Sequence, residues 1–196
     1  MTLNHLVLVG GGHSNVLLMQ KWIMQPRLIP DLPITIISRD SNLVYSSMYP
    51  SVISNWISLE ESFIDIIPLA NSVNVSFVKN EINNIDFYQK KIFLQNRPCI
   101  EYSKIILNCG METKVSSEFK DLVKKEIAFP IKPFFQSYKF IQREDKYNSE
   151  EVLPFVIVGS GLAAIEISLA LRKRWPKRRL VIVCDDKKIS KKLLNI

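Results

Sequence analysis

The chain has 196 residues, 47% of them hydrophobic and 23% charged, with a formal net charge of +7. Such a composition fits one large or two small globular domains and excludes a disordered chain. No apolar run reaches the length of about 18 residues that a membrane-spanning helix needs, and the charge excess is local, since residues 172–196 hold ten Lys and Arg against two Asp.

Residues 6–9 (LVLV) form an apolar run followed by Gly10, Gly11 and Gly12. A buried strand running into glycines predicts a tight turn, then a helix whose N-terminal N–H groups donate to a phosphate. Gly10 and Gly12 take the first two places of G-x-G-x-x-G; the third holds Asn15 where Gly or Ala packs a helix closely on its strand. The helix is expected over 16–25, with Val16, Leu17, Met19, Trp22 and Ile23 available for burial and Pro26 as its stop. Ile34–Ile37 (ITII) predicts a second buried strand. At its end, where an acidic residue commonly grips a ribose, stand Ser38 and Arg39, which either line an adenosine site or form a plain strand-end loop.

Residues 41–72 read as loop and short helix, and 75–107 as an antiparallel meander ending in a buried strand at Ile105–Leu107, ahead of Cys109 and Gly110. The opening pattern then recurs. Phe155–Val158 predicts a buried strand, Gly159-x-Gly161-x-x-Ala164 completes the fingerprint, a helix carries Glu166 to Trp175, and a strand starts at Leu180 and ends at Asp185. Two strand–glycine–helix units in one chain are far more specific than one.

This arrangement resembles the two-domain FAD/NAD(P)-binding flavoproteins of the pyridine nucleotide–disulfide oxidoreductase superfamily. The stretches HLVLVGGGHSNVLLMQKW and ITIISRDSNLVYSSMYP resemble its type II NADH dehydrogenase-like branch, in particular a cyanobacterial flavoprotein module often fused to selenophosphate synthase. The resemblance implies an α/β fold: an FAD-binding Rossmann-like three-layer domain with a β-meander over 1–150, and an incomplete NAD(P)-binding Rossmann-like unit over 151–196. It implies FAD and NAD(P)H as cofactors, with hydride passing to the flavin and on to a quinone or similar acceptor. Gly10, Gly12 and Asn15 would then hold the FAD pyrophosphate, Ser38, Arg39 and the Ile82 backbone its adenosine, and Tyr45, Pro50, Cys109 and Gly110 its flavin end. Gly159, Gly161 and Ala164 would hold the second dinucleotide, with Glu166 near its nicotinamide or serving as a plain helix carboxylate.

Several features depart from the family. No CxxxxC pair follows the first turn, which argues against dithiol chemistry. The three cysteines (Cys99, Cys109, Cys184) are well separated, form no zinc spacing, and with no basic leader at the start point to reduced thiols in the cytoplasm. Cys109 reads better as a buried packing residue than as a redox thiol. His5 and His13, the two histidines, lack a general acid–base constellation. Lys132 reads as a linker charge. The segment that completes the FAD site in the family has no counterpart, so the resemblance implies an N-terminal half: a split enzyme completed by a partner chain, or a non-catalytic remnant. The basic stretch (Arg172, Lys173, Arg174, Lys177, Arg178, Arg179, then Lys187, Lys188, Lys191 and Lys192) is expected to be a solvated helix end, with peripheral membrane contact or a 2′-phosphate as alternatives. It lacks the aromatic interleaving of a nucleic-acid surface.

Overall fold

A computed structural model describes residues 4–111 and 113–184. In chain order the elements are β1 (Leu6–Val9), α1 (His13–Met24), β2 (Ile34–Ser38), β3 (Asn42–Val44), α2 (Tyr49–Ile53), β4 (Phe63–Asp65), α3 (Ile66–Asn71), β5 (Ser76–Lys79), β6 (Ile82–Asp86), β7 (Lys91–Leu94), β8 (Ile100–Glu101) and β9 (Lys104–Leu107). They continue with α4 (Ser117–Lys124), α5 (Phe134–Glu144), β10 (Phe155–Val158), α6 (Leu162–Arg174) and β11 (Leu180–Val183). The described residues pack as two units. One joins the chain up to Tyr45 with Phe63–Met111; the other joins Ser46–Ser62 with the residues after 112. These packing units run along different lines from the expected 1–150 and 151–196 division.

In the first unit, β5, β2, β1 and β9 form a parallel sheet in that order. Alternation along β1 builds a core on each face. Leu6 and Leu8 join Val16, Met19 and Trp22 of α1 and Ile66 and Ala70 of α3; Val7 and Val9 join Ile92, Leu94 and Tyr102 of the meander. The result is three layers, helices, sheet and meander, as expected. The meander is shorter than expected. Only β6, β7 and β8 pair antiparallel, while β5 pairs with β2 in parallel and so belongs to the main sheet. Residues 41–72 also contain an antiparallel pair, β3 with β4.

Helix α1 starts at His13, three residues before the expected position, because Gly12 in extended conformation is its N-cap. It buries Asn15, Val16, Met19 and Trp22 at helical spacing, which turns Leu17 (49% exposed) and Ile23 (43%) outward rather than into the core. Two strands expected to be buried are not. Among the described residues β9 pairs with β1 alone, so Leu107 is 51% exposed. Among the described residues β10 pairs only with β11, and of its four residues only Ile157 is buried. A strand with one neighbour and one covered face cannot hide both sides. The expected strand end at Asp185 lies outside the described residues.

The second unit is built around Trp175, 1% exposed. Its ring meets Phe155 edge-on at 5.0 Å, and Phe140 stacks on Phe129 at 4.7 Å. Pro176 ends α6, and the Trp175 N–H closes the last turn on the Leu171 carbonyl (2.7 Å). Tyr49 anchors α2 to α5: its ring lies 4.3 Å from that of Phe134, and its hydroxyl donates to the Phe134 carbonyl (3.0 Å) and meets Ser137 Oγ at 2.6 Å. Burial pushes the Tyr49 pKa from 10.0 up to about 12, with the Ser137 hydrogen bond pulling weakly the other way. The unfolded chain therefore loses this proton first. The resulting stability is complete below pH 10 and fades as pH rises toward 12. Tyr49→Phe is expected to cost about 1 kcal/mol at neutral pH through the lost hydrogen bonds. It should also flatten the alkaline fall in Tm, which thermal melts across that range will measure.

Candidate functional site

The first turn is crowded in a way that only glycine satisfies. Gly10 has φ +90° and its N–H donates to the Ile37 carbonyl (2.7 Å). A Cβ there would overlap the Asn108 carbonyl oxygen and approach Cys109 Cα to 2.6 Å; one on Gly12 would fall on Asn108 Oδ1 and its carbonyl oxygen. Beside the turn, a Cβ on Gly11 would lie 2.9 Å from Ser38 Oγ. Gly10, Gly12, Ser38 and the end of β9 therefore converge at one end of the sheet. The N-terminus of α1 opens there. Asn108 Oδ1 accepts from the Ser14 N–H (3.0 Å) and the Asn15 N–H (3.3 Å), and the Asn108 carbonyl accepts from Gly12 (3.1 Å). Among the described residues the Gly11 and His13 N–H groups have no partner. Free backbone donors at the positive end of a helix dipole, beside a turn that admits no Cβ, suit a phosphate.

Asn15 occupies its place without opening the helix–sheet packing. It is 0% exposed, its Nδ2 donates to the Gly10 carbonyl (2.8 Å), and its Oδ1 is buried with no protein partner. Asn108 was not singled out by sequence. The one signal available was a polar residue ending an apolar strand just before Gly110.

The other residues of the first unit are placed as follows. Arg39 pairs with Asp40 at 3.1 Å. The Tyr45 ring lies tilted against His13 at 4.9 Å, which brings it beside the first turn of α1. Ile82 sends its side chain into the core beneath the sheet, leaving only its backbone for a ligand. Gly110 has φ +77° in open space. Cys109 is exposed, contrary to the expected packing role, because it follows β9, which is an edge strand among the described residues. His5 is held by the Glu101 carbonyl and Thr35 Oγ1, each at 2.9 Å, and straps the sheet instead of facing a ligand.

The second turn is looser than its cleaner fingerprint suggests. A Cβ on Gly159 (φ +142°) would meet only Ala164 Cβ at 3.6 Å, and one on Gly161 nothing within 4 Å. Below this turn a cavity of about 260 Å³ is lined by Ser46, Ser47, Pro50, Lys132, Ala163 and Glu166 among others. It brings together Pro50 and Glu166, both singled out by sequence. Lys132, expected to be a linker charge, lines it as well and lies 5.4 Å from the Phe134 ring. The turn after Phe129 that carries Lys132 packs onto α5, which draws the ammonium inward.

Two arginines of the basic stretch, Arg174 and Arg178, are tied into the second unit, while Arg172, Lys173, Lys177 and Arg179 are exposed, as expected of a solvated helix end. Arg174 (side chain 3% exposed) forks onto Asp145, with Nε–Oδ1 at 2.6 Å and Nη2–Oδ2 at 2.5 Å, and also donates to the Ile53 carbonyl (3.0 Å). Arg178 (7%) pairs with Glu144 at 3.0 Å, its guanidinium 5.2 Å from the Phe155 and Trp175 rings. Arg172 donates to the Pro176 and Arg178 carbonyls (3.0 and 2.9 Å), capping the end of α6. Lys187, Lys188, Lys191 and Lys192 lie outside the described residues.

No family model matches the chain. It is 26% identical over 168 residues to "NADH dehydrogenase-like protein YutJ" of Bacillus subtilis, covering 86% of this chain and 45% of that protein. It is 25% identical over 114 residues to the sulfide-quinone reductase of Aquifex aeolicus, covering 58% of this chain and 26% of the relative. The chain thus spans less than half the length of these relatives. Among solved structures, reduced Bacillus anthracis CoADR-RHD superposes with a TM-score of 0.73 at 17% identity, over 97% of this chain and 34% of the other. The fold is of the FAD/NAD(P)-binding Rossmann-like class.

Proposed function

We propose that this chain is the dinucleotide-binding part of a flavoprotein oxidoreductase of the type II NADH dehydrogenase-like kind, the branch in which fusion to selenophosphate synthase occurs. Residues 1–150 bind FAD and 151–196 begin the NAD(P)H-binding unit. The observation that supports this reading is the Gly10–Gly12 turn, where a Cβ at Gly10 or Gly12 would collide with Asn108 and where, among the described residues, the Gly11 and His13 N–H groups have no partner. FAD supplies the hydride and electron chemistry when bound.

The protein's own contribution is binding and orientation. The Gly11 and His13 amides hold the pyrophosphate, Ser38 and Arg39 the adenosine with Ile82 offering backbone, and Tyr45, Cys109 and Gly110 flank the flavin end. The Gly159, Gly161 and Ala164 turn holds NAD(P)H, with Glu166 at its nicotinamide. The electron acceptor is a quinone or a similar small molecule, consistent with the name of the Aquifex aeolicus relative. No described helix is long and apolar enough to cross a membrane; a cytoplasmic protein meeting quinone at the membrane surface goes with this reading.

The test is an absorption spectrum of the purified chain with added FAD, followed by NADH. Flavin bands that shift on binding and bleach with NADH are expected; a preparation that takes up no FAD overturns the proposal. A second reading, a nucleotide-binding half-subunit completed by a partner chain, is favoured by the open strands. Val156, Val158 and Val183 are 49%, 62% and 49% exposed. In that case NADH bleaches the bound flavin only when a chain supplying further strands is co-expressed.

A further inference from the structure

We infer that Asn108 is a positioning residue. From the end of β9 it clamps the glycine turn and the first turn of α1 in the shape that receives a pyrophosphate, and it reserves the Gly11 and His13 amides for that group. The inference rests on the FAD reading above. A helix N-terminus leaves several N–H groups unpaired, and the residue at the N-cap usually satisfies one with its side chain. Here the N-cap is Gly12, which has no side chain to offer. The cap arrives instead from a residue 94 positions from Ser14 and 93 from Asn15. Asn108 accepts three hydrogen bonds at the turn: its carbonyl from Gly12, its Oδ1 from Ser14 and Asn15.

A second, independent observation lies on the inner side of the same turn. Asn15, fully buried, holds the Gly10 carbonyl through Nδ2, and its Oδ1 has no protein partner. The turn is thus gripped from inside by one asparagine and from outside by another before any ligand arrives. A turn already ordered loses less conformational freedom on binding, which raises affinity. The choice of amide over carboxylate also matters. Aspartate would cap the helix equally well, and its charge would favour the dipole. The same charge would stand beside the phosphates and repel them.

The experiment compares Asn108→Ala and Asn108→Asp with the wild-type 196-residue chain. Three quantities are read: apo Tm, hydrogen exchange at the Ser14 and Asn15 amides, and FAD affinity by fluorescence quenching at low and high salt. Asn108→Asp should keep the apo Tm and the amide protection. It should bind FAD at least about tenfold more weakly, with the deficit shrinking as salt screens the charge. Asn108→Ala should lower the Tm and speed exchange at those two amides. If Asn108→Asp binds FAD as tightly as wild type, or Asn108→Ala leaves exchange unchanged, the inference is overturned. A wild-type chain that takes up no FAD defeats the flavoprotein reading alone, because Tm and exchange still decide whether the clamp exists. Should Asn108→Ala not fold, the aspartate variant carries the test.

Discussion

Gly10→Ala is expected to abolish FAD uptake and to destabilise the first unit by about 3 kcal/mol or more. Two costs combine. Gly10 sits at φ +90°, a conformation that a residue with a Cβ rarely adopts. The added methyl would also meet backbone, the Asn108 carbonyl and Cys109 Cα, rather than a side chain that could turn away. Relief requires β9 to shift away from β1, which breaks the packing that positions the turn. Thermal denaturation and an FAD titration together measure both effects. Gly161→Ala supplies the contrast. Its new Cβ meets nothing within 4 Å, so the fold should lose under about 1 kcal/mol, mostly from a poorer N-cap. Equal destabilisation by the two variants would refute the steric account of the first turn.

Asp145→Ala is expected to lower stability by about 2 kcal/mol, because a largely buried cation and an indole N–H lose this acceptor while Arg174 keeps the Ile53 carbonyl and Asn55 Oδ1. Asp145 receives both Arg174 and, at 2.7 Å, Trp175 Nε1. For a chain of this size the Tm should fall by several degrees. Burial alone would raise the Asp145 pKa, but hydrogen bonds from Arg174 and Trp175 and the arginine charge outweigh it and hold the carboxyl below its usual range. The same pairing reverses the effect of burial on Arg174 and leaves its pKa above the ordinary value. As acid is added the unfolded chain protonates Asp145 first. The stability it confers is therefore complete above the ordinary carboxyl pKa of about 3.9, and it is lost as pH falls through the depressed value. Melts between neutral and strongly acid pH should show a slope that the alanine variant lacks. Arg174→Met should cost less than Asp145→Ala, because it removes the buried charge along with its bonds.

The sheet and its two glycine turns were legible because their causes are local. Apolar runs of four residues, glycines where a strand turns into a helix, and prolines at 26 and 176 each act within a few positions. What stayed hidden depends on pairing across the chain. Whether Ile105–Leu107 is buried is decided by how many neighbours β9 has, and no property of those residues reports that. VSFV reads equally well as a meander strand or as a parallel edge, and only the closure of β5 on β2 separates them. Arg174 and Arg178 look like part of a solvated face until Asp145 and Glu144, about 30 residues earlier, are seen beside them. Asn108 escaped notice for the same reason: its work is done on a helix that begins near the other end of the first unit.

The two asparagines at the first turn also bear on how this sequence can change over time. Positions 15 and 108 lie 93 residues apart in the chain but support one loop, so a substitution at either alters what the other must do. A variant with glycine at 15 would lose the inner strut and depend on Asn108 alone. One that lost Asn108 would find the inner amide harder to give up. Among natural variants these two positions should therefore be inherited as a pair, and a consensus residue imported at one of them in isolation is a poor guide to a sturdier protein.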